Sequence, residues 1–148
     1  MLKPPSLQNE FDIWYSGDPA FHLPADAKEA ARLVRQCRET GDISPILIGG
    51  ETPTFFTVKP LRSSVFRKIV DRVSSGTLGQ TEAAAIAFRS TLIGVKNFGD
   101  VEIRMVKDEA WGTLAAPDIA DMLDARSPAI VSELGGLMLD RAVSPDPK

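Results

Sequence analysis

The stretch Thr54-Phe-Phe-Thr-Val-Lys-Pro-Leu-Arg-Ser-Ser-Val-Phe-Arg-Lys-Ile-Val-Asp-Arg-Val73 changes its period part-way along. Residues 54–58 are β-branched or aromatic, the residues that suit a pleated, half-buried strand. Pro60 ends the strand, because proline has no N–H for the ladder. Ser63 or Ser64 can then cap a helix. Val65, Phe66, Ile69, Val70 and Val73 recur with a 3.6-residue period, and Gly76 closes the helix. A strand running into an amphipathic helix makes this a mixed α and β chain.

Toward the N-terminus, Phe11-Asp-Ile-Trp-Tyr15 reads as a short strand or anchored extended segment, and Asp18-Pro19 as a turn. Asp26 with Glu29 three residues on opens a helix over about 26–40, with Leu33, Val34 and Cys37 as its apolar stripe and Gly41 as its stop. Pro45-Ile-Leu-Ile48 reads as a second strand, joined to 54–58 through Gly49-Gly50-Glu51-Thr52-Pro53 in a hairpin-like connection. Toward the C-terminus the pattern predicts a helix over about 81–95 that buries Ala85, Phe88, Leu92 and Val95. Asn97-Phe-Gly-Asp100 is turn chemistry. Val101, Ile103 and Met105 alternate with charged residues, predicting a half-exposed strand over 101–106. Two helices follow, at about 117–125 and 128–142, the second with Ser127 as N-cap and Pro128 in its first turn. The expectation is an α+β fold of about five helices packed on a small antiparallel sheet. It forms one domain over 1–148, with a flexible arm at about 1–10 and a polar tail at 144–148.

The 148 residues can bury about 70% of their unfolded surface. With 43% apolar residues, folding needs no metal or disulfide. A net charge of −3 argues against broad phosphate binding, which needs clustered cations. Arg32, Arg35 and Arg38 fall close together but alternate with Glu29 and Glu39, which is a solvated helix face. The single cysteine, Cys37, has no partner in the chain and points to a reducing cytoplasm. No run approaches the roughly 18 apolar residues of a membrane span, and the first residues lack the apolar core of a secretory signal.

Most catalytic chemistries find no residues. Four zinc ligands cannot come from one Cys and one His. A Ser-His-Asp arrangement would have to use His22 in a proline-flanked loop. Gly49-Gly50 lacks the residues of a phosphate-binding loop. Asp100 and Glu102 are the best enzyme candidates. Two carboxylates on one face of a strand can hold Mg²⁺, as in a metal-dependent nuclease. The plainer reading is the charged face of an edge strand, which discourages edge pairing. Ile119, Ala120, Leu123 and Ile130 match apolar positions of a helix-turn-helix. Yet residues 128–140 contain no Lys or Arg to meet DNA, and Glu133 falls where an apolar residue is expected. Gly135-Gly136 sits inside the last helix at a cost of about 1 kcal/mol each, amid Leu134, Leu137, Met138 and Leu139. A flat glycine patch on an apolar helix suits close contact, within the core or with a partner.

The order Glu51-Thr-Pro-Thr-Phe-Phe-Thr-Val-Lys-Pro-Leu61, a capped amphipathic helix, then an Ala-rich helix ending in Leu92-Ile-Gly-Val-Lys-Asn97, resembles small tailed-phage morphogenesis proteins. The nearest class is the tail assembly chaperones. The step Val58-Lys59-Pro60-Leu61 matches the strand-to-helix step of that class, and the likeness extends over about 46–140. It leaves the arm, residues 11–15 and the charged segment 101–106 unexplained. The resemblance implies protein binding during particle assembly, without a cofactor.

The expected function is a non-enzymatic protein-binding factor that shields apolar segments of a phage structural protein until assembly. It would act in the host cytoplasm or remain in the virion, without nucleic acid or membrane partners, homo-oligomerisation being left open. The alternatives are a permanent minor component of the virion and the Asp100/Glu102 nuclease. The expected partner-binding residues are Phe55, Phe56, Leu61, Phe66, Leu134, Gly135, Gly136 and Met138. Bulky residues at Gly135 and Gly136 are expected to abolish partner binding while the fold survives.

Overall fold

A computed structural model describes residues 10–99 and 101–143. The elements run β1 (Phe11–Ile13), α1 (Ala27–Thr40), β2 (Phe55–Val58), α2 (Ser63–Ser74), α3 (Gln80–Thr91), β3 (Leu92–Lys96), β4 (Met105–Asp108), β5 (Gly112–Ala115), α4 (Pro117–Arg126) and α5 (Ala129–Val143). The fold is α+β, with five helices and two small antiparallel sheets among the described residues. The expected arm falls mostly outside the described residues, as does the tail at 144–148.

β2 is the centre of the first sheet, with β1 and β3 antiparallel on its two sides. Alternation along β2 sends Phe56 and Val58 to one face and Phe55 to the other. Phe56 pairs with Ile13 on one side and Val95 on the other, and its ring meets Phe88 of α3 edge to face with centroids 5.7 Å apart. The main core lies on this face, where α3 and α5 cross. Phe88, Leu92, Leu123, Leu134 and Met138 are almost wholly inaccessible there, each contributing roughly 1.5–3 kcal/mol through burial. A smaller cluster lies beyond the other face of β2. It joins Trp14, Phe21 and Ile46 to Cys37 on α1, with Phe55 at its edge.

Helix punctuation works largely as the sequence indicates. The Asp26 carboxylate accepts from the Glu29 N–H, and Gly41 ends α1 at φ +78°. The Ser127 hydroxyl accepts from the Ala129 N–H ahead of α5. At α2, however, the N-cap is Arg62, which offers no side-chain acceptor, and Ser63 is already helical.

Four local expectations are corrected. Pro45-Ile-Leu-Ile48 is not a strand but a turn, in which the Ile43 carbonyl accepts from the N–H groups of Ile46 and Leu47. Only Leu47 forms a bridge, to Phe21, so the hairpin with 54–58 does not form. Ile46 and Leu47 pack in the small core instead, while Ile48 is exposed. Second, residues 92–95 are strand: the chain passes from α3 into β3 at Leu92 without a loop. The Thr91 hydroxyl, donating to the carbonyls of Ala87 and Phe88, satisfies the helix end internally. Third, 101–104 is unpaired and pairing begins at Met105. Fourth, β4 pairs with β5, a hairpin not expected from the sequence. Asp108 accepts from the N–H groups of Ala110 and Trp111, and Gly112 turns the chain at φ +79°.

Candidate protein-docking surface

α2 rests on the core through Val65 and Ile69, which are buried, with Val73 and the preceding Leu61 packed beside them. One flank beside them is only partly covered. Phe66 belongs to neither apolar cluster, and Val70, one turn on, is 42% exposed. Residues three or four apart on a helix are neighbours, so half-buried Phe66 and exposed Val70 form one apolar strip along that flank.

The segment that carries the strip is basic. Residues 59–72 contain Lys59, Arg62, Arg67, Lys68 and Arg72 against Asp71 alone, in a chain whose net charge is −3. Among the described residues none of these five cations forms an ion pair. Two of them fix the β4–β5 hairpin onto α2. The Trp111 ring lies under Arg72, 5.0 Å from its centroid, and near Lys68, whose ammonium donates to the Ala110 carbonyl. The Arg62 guanidinium lies against Gly112 at the start of β5, where a side chain would crowd it. Arg67 and Lys59 project into solvent. The first turn holds no acidic residue, so Lys59 and Arg62 add to the positive helix N-terminus instead of neutralising it. An acidic segment with an apolar side would find both halves of its complement on this face.

The expected partner-binding residues separate under the structure. Phe66 lies on the α2 face, and Leu61 is half-buried at its base. Phe55 is half-buried against the small core. Phe56, Leu134 and Met138 are buried in the main core, so they are corrected from surface to interior. Gly135 is corrected for a sharper reason. A Cβ there would stand 2.0 Å from the Ala84 carbonyl oxygen, because α5 crosses α3 backbone to backbone over Ala83, Ala84 and Ala87. A bulky residue at Gly135 would break the fold itself, so the expectation of a surviving fold fails. Gly136 has open space around it.

Glu133, out of place in a helix-turn-helix, holds α5 to the N-terminal half of the chain. Its carboxylate accepts from the Arg38 guanidinium at 2.7 Å and from the Ser16 N–H and hydroxyl at 2.7 and 2.6 Å. Arg38 also stacks 4.0 Å over Trp14 and donates to its carbonyl. Burial lowers the Arg38 pKa, and Glu133 opposes that shift.

Asp100 of the nuclease alternative lies outside the described residues. Glu102 is exposed on the unpaired run, and Arg104 is held by both carboxylate oxygens of Asp118 at 2.8 and 2.9 Å. His22 is exposed in its loop. Burial, then the nearby Asp42 carboxylate, pushes the Cys37 thiol up, away from thiolate chemistry. No group of three or more metal-ligating residues comes together among the described residues.

An open groove of about 770 Å³ runs between the Tyr15–Ala20 loop, the ends of β2 and β3, and the α4–α5 junction. Its polar groups are engaged in holding those loops. Asp18 accepts from the N–H groups of Ala20 and Thr54, Asn97 donates to the Pro53 carbonyl, and Tyr15 bonds to Ser127. Arg126 stacks over Phe98. No helix among the described residues is long and apolar enough to cross a membrane.

No protein-family model, curated protein or solved structure matches the chain.

Proposed function

We propose that this chain is a non-enzymatic protein-binding factor of phage particle assembly, in the manner of a tail assembly chaperone, and that it holds its partner on α2. The observation that carries the reading is the strip of half-buried Phe66 and exposed Val70 on a basic helix whose cations form no ion pair among the described residues. A partly uncovered apolar strip beside unneutralised charge can be completed by a partner that supplies apolar contact and negative charge. The phage setting rests on the sequence resemblance, whose strand-to-helix step includes Leu61. The partner fitted by this face is a structural protein with an acidic, apolar-sided segment.

The test is capture of partners by tagged protein from cells producing the particle, beside mass spectrometry of finished particles. Wild type should enrich a phage structural protein and be absent from particles. The double variant Phe66→Ser/Arg67→Glu should fold normally and lose that capture. Undiminished capture by the variant would contradict the assignment to α2. Recovery of the chain within particles would make it a permanent component instead.

A further inference from the structure

A hollow of about 340 Å³ lies where the small core meets the rest of the chain. Cys37 of α1 and Ile43 just beyond that helix line it on one side, and Leu137 and Arg141 of α5 on the other. Between them it touches every residue from Phe11 to Trp14. Side chains of a strand alternate between its two faces. Phe11 and Ile13 pack in the main core, and Trp14 in the small one. A cavity that meets both faces of β1 passes around its edge. The inner edge is taken by β2, so the hollow runs along the outer one. In an antiparallel pair, alternate residues turn their N–H and C=O away from the partner strand. Among the described residues no hydrogen bond meets the outward groups of residues 11–13. At Trp14 the edge is closed, because Arg38 donates to its carbonyl.

The interior of the hollow is apolar. Ile13, Trp14 and Cys37 are buried, and Ile43, Phe55 and Leu137 are half-buried. The charges at its walls do not cancel. Arg38 is paired with Glu133 at 2.7 Å, and Asp12 with Lys96 at 2.9 Å. Arg141 forms no ion pair among the described residues; its guanidinium lies over the Phe11 ring, 4.2 Å from the centroid. One positive charge is left at the mouth of an apolar hollow, beside a strand edge with unpaired backbone.

We propose that this hollow binds the C-terminal end of another polypeptide whose last residue is apolar. That side chain fills the hollow, the backbone before it adds a short strand to the outer edge of β1, and the terminal carboxylate meets the Arg141 guanidinium. The open edge is three residues long and closed at Trp14, so it accommodates a chain end and not a long strand. An internal segment would supply backbone and side chain but no terminal anion, leaving Arg141 unmatched. The site is separate from α2 and does not rest on that helix being a docking surface.

The experiment is fluorescence anisotropy of fluorescein-labelled pentapeptides titrated with the full chain. The last residue is fixed as Leu or as Ser, the other positions are randomised, and each peptide is made as the free acid and as the C-terminal amide. The Leu-ended acid should bind about tenfold or more tighter than its amide, and by a similar factor tighter than the Ser-ended acid. Arg141→Gln should bind acid and amide alike, at the level of the amide. Leu137→Trp, which fills the hollow, should weaken both, with folding of each variant checked by circular dichroism. Of peptides N-methylated singly at each of the last three residues, at least one should lose binding, because a strand partner donates from alternate nitrogens. Phe66→Ser/Arg67→Glu should bind the Leu-ended acid as wild type does, whatever becomes of capture through α2. No binding at millimolar peptide, equal binding of acid and amide by wild type, or unchanged acid preference in Arg141→Gln overturns the proposal. So does tolerance of all three methylations, or loss of binding in the α2 variant.

Discussion

Gly135 and Gly136 are adjacent in sequence and opposite in consequence. Gly135 lets α5 lie against the Ala84 backbone, and Gly136 faces open space. Gly135→Ala should destabilise by about 3 kcal/mol or more, the upper range of overpacking, because the obstacle is backbone and cannot swing aside. Gly136→Ala should stabilise by up to about 1 kcal/mol through helix propensity. Chemical denaturation of both variants checks the pair of signs. The sequence shows that two glycines sit in an apolar helix. A residue without a side chain carries no pattern of its own to say which of the pair meets a neighbour. Glu133 was illegible for a related reason: its partners Arg38 and Ser16 are about a hundred positions away. Glu133→Gln leaves the half-buried Arg38 cation without its counter-charge and should cost about 2 kcal/mol or more in a thermal or denaturant melt. Asp12 gives a prediction with a pH sign. Burial alone would raise its pKa, but hydrogen bonds from Thr57 and Lys96, with the Lys96 charge, together bring it below 3.8. A depressed carboxylate contributes stability above its unfolded pKa and loses it as pH falls through the folded value. Asp12→Asn should therefore cost up to about 1 kcal/mol at neutral pH, and the gap to wild type should close below about pH 4.

Helices were legible where period and punctuation agreed, as at Asp26, Gly41, Ser127 and Gly76, the last at φ +81°. Strands were legible only in part. β1 and β2 follow from their β-branched and aromatic residues, but Pro45-Ile-Leu-Ile48 is equally apolar and is a turn. A four-residue apolar run does not distinguish strand from buried turn, and long-range packing against Trp14 and Phe21 decides it. Conversely, β3 continues the apolar pattern of α3, so the periodicity carries through a boundary that the backbone does not respect. The β4–β5 hairpin was missed because its turn uses Asp108 and Gly112 around Trp111 instead of a two-residue Asn-Gly signal. Trp111 makes a prediction at this scale. Its ring supports the hairpin on Arg72 and Lys68, so Trp111→Ala should cost about 3 kcal/mol and raise amide exchange first over residues 105–115. Unchanged exchange there would show that the hairpin is held by other contacts.

At the scale of the whole molecule the α+β class and helix order could be read from the sequence, whereas the surface could not. Periodicity marks the residues a helix buries, and it gives no sign of what stays uncovered after the other helices have packed. Phe66 and Val70 share the spacing of the core residues Val65 and Ile69; Phe66 was expected at a partner surface, whereas Val70 was read only as part of the helix stripe. Five cations between 59 and 72 escaped notice in a chain of net charge −3 because bulk charge averages over faces of opposite sign. The segment leading into and along α2 is locally basic in spite of that bulk charge. The consequence is salt dependence: association through α2 should weaken as ionic strength rises, since exposed charges are screened over about 8–10 Å. Hydrogen exchange of the captured complex, compared with the free protein, reads the docking surface directly. Protection should concentrate over residues 59–73 and leave the 770 Å³ groove unchanged; protection at the groove with α2 exchanging as in the free protein would contradict α2 as the docking surface.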